Sequence, residues 1–405
     1  MLKDAHNLKR LFIVNTCFLV LPSVILQYFL KVDVNTLYAV LGAVCLLIVL
    51  NQHHFWLPRG LLVLIFVLLG IGLIGSLFSE VSSQIIMAIS LSLNLIIAYR
   101  AWQLFSETRT LNYLMLICWV LIAGAYLAFL YASFGGPPVL EIDLGNRNSF
   151  LYLTTFTDAI LGDFIRPAGI FDEPGALAMY ITMVVLLNEV FGKNTKRSAV
   201  LLFAGLISGS VTLLIITIIY LIYKIRRKNL LSIIVVAIVF GGVVAYEKGV
   251  SEFVDQAFFS RLKIVDGRIS GDDRSNQIIE FFDLVNSEIT LKGQKAMGVL
   301  NMARDQSSNP FSIYFWYGIF IWLPYVALEL WLLYCSIFYR KNLRFPALAL
   351  FLTLLQRPYI YSLYWGLMIA VVVVAIYRVQ KVSVENRRYK YLQHEVAVDS
   401  KKLMS

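Results

Sequence analysis

The chain has 405 residues, of which 59% are hydrophobic and only 15% charged, with a formal net charge of +10. A soluble protein carries roughly 25% charged residues, so a set of water-facing domains is excluded, as are disordered, collagen-like and disulfide-scaffold chains. The excess of lysine and arginine fits the cytoplasmic loops of a polytopic membrane protein rather than a nucleic-acid site, and Cys17, Cys45, Cys118 and Cys335 all lie in apolar runs as core thiols.

A membrane-crossing helix needs about 20 apolar residues. Residues 11–30 supply them behind Lys3, Lys9 and Arg10, which puts the N-terminus in the cytoplasm. No small-residue cleavage site follows, so an uncleaved helix is expected rather than a signal peptide. Further crossings are expected at 34–50, 60–79, 82–99 and 111–132, with Arg59, Arg100 and Arg109 on the cytoplasmic side. Residues 133–175 then break the pattern with Gly135-Gly136-Pro137-Pro138 and two bases against six acids, net −4, as a first large periplasmic loop. Residues 176–192 cross back to Lys193, Lys196 and Arg197.

The apolar run 199–223 is one helix long, yet it is flanked by Lys196-Arg197 and by Lys224, Arg226, Arg227 and Lys228. A single crossing would export one basic cluster. The interruptions at Gly205 and Ser208-Gly209-Ser210 instead predict two short helices that dip in and return. Irregular backbone at that depth is tolerated only inside protein or beside a wet cavity. Residues 229–246 cross outward, and 247–310 form a second large periplasmic loop with eight bases against ten acids, net −2. Residues 311–338 return to Arg340, Lys341 and Arg344. The stretch 345–377 repeats the hairpin, with an arm of about 12 residues meeting Arg357-Pro358 and then a full helix. A basic cytoplasmic tail occupies 378–405. The expected fold is an all-α polytopic membrane protein, one integral membrane domain over 1–405 with about twelve segments, two of them short-helix hairpins, and both termini inside. The loops being net acidic, the remaining chain carries the surplus of positive charge. There is no internal repeat of fixed period.

The segment Phe164-Ile165-Arg166-Pro167-Ala168-Gly169-Ile170-Phe171-Asp172-Glu173-Pro174-Gly175 opens the helix at 176. Arg166 offers a planar fork for phosphate oxygens. Glu173, beside the bilayer at a helix start, can serve as a general base. Asp172, Glu173 and Pro174 equally make an ordinary helix start, where acids are favoured. Arg357 lies between two apolar arms. A membrane-embedded arginine is a functional hypothesis by default, and its plain alternative is a loop side chain reaching the outer interface. In the second loop, Arg268 and Arg274 suit anionic headgroups or pair with Asp266, Asp272 and Asp273; the apolar-periodic residues 278–285 read as an amphipathic helix on the membrane face. His6, His53, His54 and His394 all fall in cytoplasmic segments, so no histidine base or metal ligand serves the outer face. No phosphate-loop pattern occurs. The pairs Glu141/Asp143 and Asp272/Asp273 lack metal-ligand spacing and read as solvated loop charges.

Taken in order, Arg166…Gly169-x-Phe171-x-Glu173-Pro174, Ser208-Gly209-Ser210, Gly271-Asp272-Asp273-Arg274 and Ser307-Ser308-Asn309-Pro310 with Tyr317-Gly318-Ile319 resemble the bacterial O-antigen and capsular polysaccharide polymerases, the Wzy-type family, and the related O-antigen ligases. The outline covers most of the chain. The resemblance implies a GT-C-like glycosyltransferase of the bacterial inner membrane. A growing glycan on undecaprenyl diphosphate would be moved at the periplasmic face onto the next lipid-linked repeat unit, without metal, nucleotide or other cofactor. It implies Arg166, Arg357 and Arg274 as cations for the departing diphosphate, Arg268, Gly169 and Asp172 as further substrate-binding residues, and Glu173 as the proton acceptor. The implied partners are the lipid-linked oligosaccharides, the bilayer, and a chain-length regulator and flippase of the same pathway, with no nucleic acid. Ligases carry a histidine where Ser308 stands, which argues against the ligase. A transporter or flippase is the rival of a different class. It would use mid-membrane polar groups such as Arg357 and Glu329, whereas this chain places most charge in its long loops.

Overall fold

The computed structural model describes residues 57–78, 83–106, 108–143, 148–161, 164–192, 195–224, 248–259, 264–265, 268–269, 287–293, 310–362 and 364–403. The expected crossings at 11–30, 34–50 and 229–246, the amphipathic segment 278–285, Gly271–Arg274 and Ser307–Asn309 lie outside these residues.

Three long apolar helices come first: α1 (Arg59–Phe78), α2 (Ser83–Ser106) and α3 (Thr108–Ser133). The first large loop holds five short strands, β1 (Leu140–Asp143), β2 (Asn148–Tyr152), β3 (Thr155–Thr157), β4 (Ile160–Leu161) and β5 (Phe164–Ile165). Helix α4 (Pro174–Val190) follows, then α5 (Thr195–Gly205), a 3₁₀ turn over Leu206–Ser208, and α6 (Val211–Lys224). The second loop contributes α7 (Lys248–Val254) with a π turn over Asp255–Phe259, β6 (Ile264–Val265), β7 (Arg268–Ile269) and α8 (Ser287–Lys292). The chain closes with α9 (Ser312–Tyr317), α10 (Ile319–Phe338), α11 (Lys341–Gln356), a 3₁₀ turn over Tyr359–Tyr361 and α12 (Trp365–Leu403).

Among the described residues, five helices are long and apolar enough to cross a membrane: α1, α2, α3, α10 and the first half of α12. They mark the chain as a mostly helical, multi-pass membrane protein. Helix α1 turns Val63, Phe66 and Leu77 outward, 61–84% exposed. Its opposite side carries Gly72, where a Cβ would stand only 2.5 Å from that of Ala88. Small residues let two membrane helices approach closely, and this is where α1 meets α2.

The centre of the molecule is α4. Every residue from Ala176 to Val190 is buried, as expected of a helix apolar on all sides. It packs against α3, α5, α11 and α12. Being only 17 residues long, it spans about 26 Å at 1.5 Å per residue.

The two short-helix hairpins are present. In the first, α5 and α6 are separated at Ser208-Gly209-Ser210, where Gly209 adopts φ +62°, a left-handed conformation that favours glycine. The chain does turn back: Tyr220 near the end of α6 brings its hydroxyl within 2.7 Å of the Thr195 carbonyl at the start of α5. Lys224 pairs with the buried Glu189 of α4 at 2.6 Å. The described flanking bases Lys196 and Lys224 therefore lie at one end of the hairpin; Arg226, Arg227 and Lys228 lie outside the described residues.

The second hairpin is α11, the tip Arg357-Pro358 and α12. Its arm is 16 residues rather than about 12, because the helix begins at Lys341, ahead of the apolar run. The exposed carbonyls of the tip are taken up by neighbouring helices. Ser90 of α2 donates to Tyr361 O at 2.7 Å, Asn94 to Ser362 O at 3.0 Å, and Tyr325 of α10 to Leu354 O at 3.1 Å. Such backbone cannot face lipid without partners; here side chains provide them. Helix α12 continues without a break from the membrane stretch through the basic tail to Leu403, 39 residues in all.

The described chain is mostly helical, as expected of an all-α membrane protein, with short strands added in its loops. The loop at 133–175 contains a three-stranded antiparallel sheet in the order β1-β2-β3 and a small β4-β5 ladder, and the second loop holds the two-residue ladder β6-β7. One expectation needs correction: 311–338 is not one helix. It is divided at Gly318, φ +79°, where a Cβ would press within 2.5 Å of the Leu291 carbonyl; the break admits the backbone of α8 against it.

Candidate functional site

The segment that leads into α4 is held by the loop sheet. Phe156 of β3 donates to Gly169 O at 2.7 Å, and Ala168 donates back to Phe156 O at 2.8 Å, so residues 168–169 extend the edge of β3. Thr157 donates to Arg166 O at 2.7 Å, and Arg166 N donates to Ala159 O at 3.0 Å. Gly169 is buried with φ +68° and lies against Leu121 and Leu177. It bends the segment toward the helix; the contacts around it are apolar.

Arg166 leaves this edge and reaches the tip of the first hairpin, where Nη2 donates to Gly209 O at 3.0 Å. A Cβ on Gly209 would stand 2.9 Å from Arg166 Nε, so the glycine is needed both for its backbone angle and for the guanidinium beside it. The apolar wall next to this contact is Phe129, Phe164, Phe253 and Phe258.

Glu173 occupies the N-cap position of α4 with an extended backbone (φ −143°, ψ 150°), and Pro174 opens the helix. Its side chain makes no capping hydrogen bond. It forms an ion pair with Arg357 Nη1 instead. The capping alternative therefore accounts for the position of Glu173 in the chain but not for the direction of its carboxylate. Arg357 is 5% exposed, which rules out a side chain reaching for the outer interface. It lies across the Tyr359 ring, 5.7 Å from the centroid, and Asp172 adds to the negative field around it.

Beneath the guanidinium is Gly175. A Cβ at this position would overlap Arg357 Nη2. Sequence reasoning passed over this residue, although a glycine directly after the helix-opening Pro174 is a signal: glycine in a helix costs about 1 kcal/mol relative to alanine and calls for a reason. Gly175→Ala should force the buried guanidinium aside at a cost of about 1–3 kcal/mol, the range for overpacking a tight site. The check is the melting temperature of purified protein; an unchanged value would mean that Arg357 does not rest on Gly175.

The structure thus brings Glu173, Arg357 and Asp172 together at the N-terminal end of α4. It sets Arg166 against the neighbouring hairpin tip, seven residues back along the same segment. Arg268 falls in the short strand β7, and Arg274 lies outside the described residues. Three helices, α4, α6 and α12, begin around these two tips, and helix N-termini carry partial positive charge that favours anions. Chemically, the arrangement offers two guanidiniums and a carboxylate at three stretches of non-helical backbone enclosed by membrane helices. Among the described residues no group of three histidine, cysteine or acidic side chains is placed to hold a metal ion. Neither a protein-family model, a curated protein nor a solved structure matches the chain.

Proposed function

We propose that the protein is a membrane glycosyltransferase of the polysaccharide-polymerase type. It moves a growing glycan from undecaprenyl diphosphate to the next lipid-linked repeat unit at the periplasmic face of the bacterial inner membrane. The observation that carries this reading is the meeting of Glu173 and Arg357 at the tip of the second hairpin, with Arg166 of the same segment on the tip of the first. The reaction needs a base for the attacking sugar hydroxyl and a cation for the diphosphate that departs, both within reach of a lipid-borne diphosphate. Glu173 accepts the hydroxyl proton, and Arg357 and Arg166 meet the phosphate oxygens. The full topology in this reading has about twelve membrane segments, both termini in the cytoplasm and both large loops in the periplasm. Partners are the lipid-linked oligosaccharides, with a chain-length regulator and a flippase of the same pathway.

The deciding experiment is deletion of the gene followed by electrophoresis of the surface polysaccharide. Single-unit product is expected. Long chains accumulating on the lipid carrier would mean a ligase, and absence of any unit a flippase. The flippase reading has one observation of its own: Glu329 of α10 is a carboxylate buried within a crossing helix, beside Tyr325.

Topology has a separate check. Single cysteines at positions 145 and 300 should be labelled by an impermeant thiol reagent from the periplasmic side. If either is reached only after the inner membrane is breached, the assignment of that loop is wrong.

A further inference from the structure

The Glu173–Arg357 ion pair presents a chemical difficulty for the proposed reaction. A carboxylate paired with a guanidinium is a weakened proton acceptor, and the charge and the Nη1 donor of that guanidinium are turned to the carboxylate rather than to a phosphate. Both groups are needed at once, yet in this structure each occupies the other. The two partners are not equally fixed. The Arg357 side chain is 6% exposed and that of Glu173 is 25% exposed. Arg357 is confined by Gly175 beneath it, the Tyr359 ring beside it and a tip whose carbonyls are held by Ser90, Asn94 and Tyr325. Glu173 stands on extended backbone outside the first turn of α4, so a rotation of its side chain withdraws the carboxylate without disturbing the helix.

The place the carboxylate occupies is itself informative. It lies between a planar guanidinium and the start of a helix, where the dipole favours negative charge. Arginine is the side chain whose fork matches phosphate oxygens. The glycine at position 175 leaves room for that fork to lie close over the first turn. This is the environment of an anion site, and in the structure a carboxylate fills it.

We infer that Glu173 is a resident stand-in for substrate phosphate: the diphosphate of the incoming lipid displaces the carboxylate from Arg357, and only then does Glu173 act as the base. This rests on the glycosyl-transfer reading and assigns the diphosphate contact to Arg357. The donor lipid consequently binds before the acceptor hydroxyl is activated. In the step that follows, the acceptor hydroxyl gives its proton to Glu173 and its oxygen bonds to the anomeric carbon. The bond from that carbon to the phosphate oxygen breaks with its electron pair remaining on the phosphate, beside Arg357. When the lipid diphosphate leaves, Glu173 returns the proton to solvent and re-forms the pair.

The test uses the full chain, purified, with two sugar-free probes: a short isoprenyl diphosphate and inorganic diphosphate. Because Glu173 competes with phosphate for Arg357, Glu173→Gln should bind the isoprenyl probe about 10-fold tighter than the unsubstituted protein while losing transfer. Glu173→Asp, which keeps the charge, should not show the gain. Arg357→Ala should bind about 10-fold weaker, and adding Glu173→Gln to it should restore nothing. Modification of Glu173 by a water-soluble carbodiimide, followed by mass spectrometry, should rise when the probe is added. Inorganic diphosphate should give the same ranking if phosphate alone is recognised; a ranking confined to the isoprenyl probe would assign the displacement to the lipid form. Unchanged or weaker binding by Glu173→Gln, with transfer lost, overturns the displacement and leaves the glycosyl-transfer reading standing. Tighter binding together with undiminished transfer upholds the displacement and overturns Glu173 as the base. No binding of either probe to the unsubstituted protein overturns the inferred site.

Discussion

Arg357→Ala is expected to reduce polymer formation about 10²–10³-fold, the loss typical of removing one preorganised donor to a developing anion. The charge that appears when the sugar bond breaks falls on diphosphate oxygens, and in the proposed reaction side-chain cations must meet it. Arg357 is placed for this by the hairpin tip and is buried at 5% exposure, where little water competes. Arg357→Lys should be nearly as damaging as alanine. A lysine keeps the charge but loses the planar fork, and its single ammonium does not lie flat over Gly175. Arg166 holds the other tip through Gly209 O, so Arg166→Ala should both weaken the diphosphate contact and loosen the first hairpin, with Arg166→Lys close behind. Arg274→Lys should be milder if its loop contact is peripheral. The measurement is chain length on gels at matched membrane expression. Normal ladders from both Arg166→Ala and Arg357→Ala would remove the diphosphate site as drawn.

Glu173→Gln should cost about 10²–10⁴-fold in rate, the usual contribution of a positioned general base, with the fold retained. Asp172→Asn should cost far less. The two acids are neighbours in the chain, but Glu173 forms the ion pair with Arg357, while Asp172 contributes to the field around it. Since Glu173 makes no capping hydrogen bond, glutamine in its place takes no cap from α4. Comparable mild effects from both substitutions would leave Glu173 as an ordinary N-cap position and remove the base from the mechanism.

How much of this was legible beforehand differs from feature to feature. The first hairpin could be read because two physical requirements collided: basic clusters belong on one side of the membrane, and the run between them was long enough to cross only once. The break at Ser208-Gly209-Ser210 resolved the collision, and the contact of Tyr220 with the start of α5 shows the chain turning back. The Arg357-Pro358 tip was legible for a similar reason, since an arginine in an apolar stretch needs a special place. The pairing itself was not legible. Glu173 and Arg357 are 184 residues apart, and neither local composition nor periodicity carries information about such a contact. The strands of the first loop escaped notice because they are two to five residues long, too short for alternation to stand out among glycines and prolines. Gly318 was read inside a helix because its neighbours are uniformly apolar; what breaks the helix there is the backbone of α8, brought in from the preceding loop.

The short arms described above also act as a depth gauge. Helix α5 with its 3₁₀ turn measures about 22 Å, α11 about 24 Å and α4 about 26 Å at the standard rises. All three run from the same basic ends, marked by Lys196, Lys224 and Lys341, to the two tips. With those ends at one hydrocarbon boundary of a core about 30 Å thick, both tips stop about 4–8 Å short of the other. A phosphate headgroup at rest rides above that level. In the proposed reaction it would have to sink toward the acyl chains to meet Arg357. A long isoprenoid tail favours that descent, and a water-soluble sugar nucleotide has nothing to draw it down. In the proposed reaction, helix length would then favour lipid-borne donors over soluble ones.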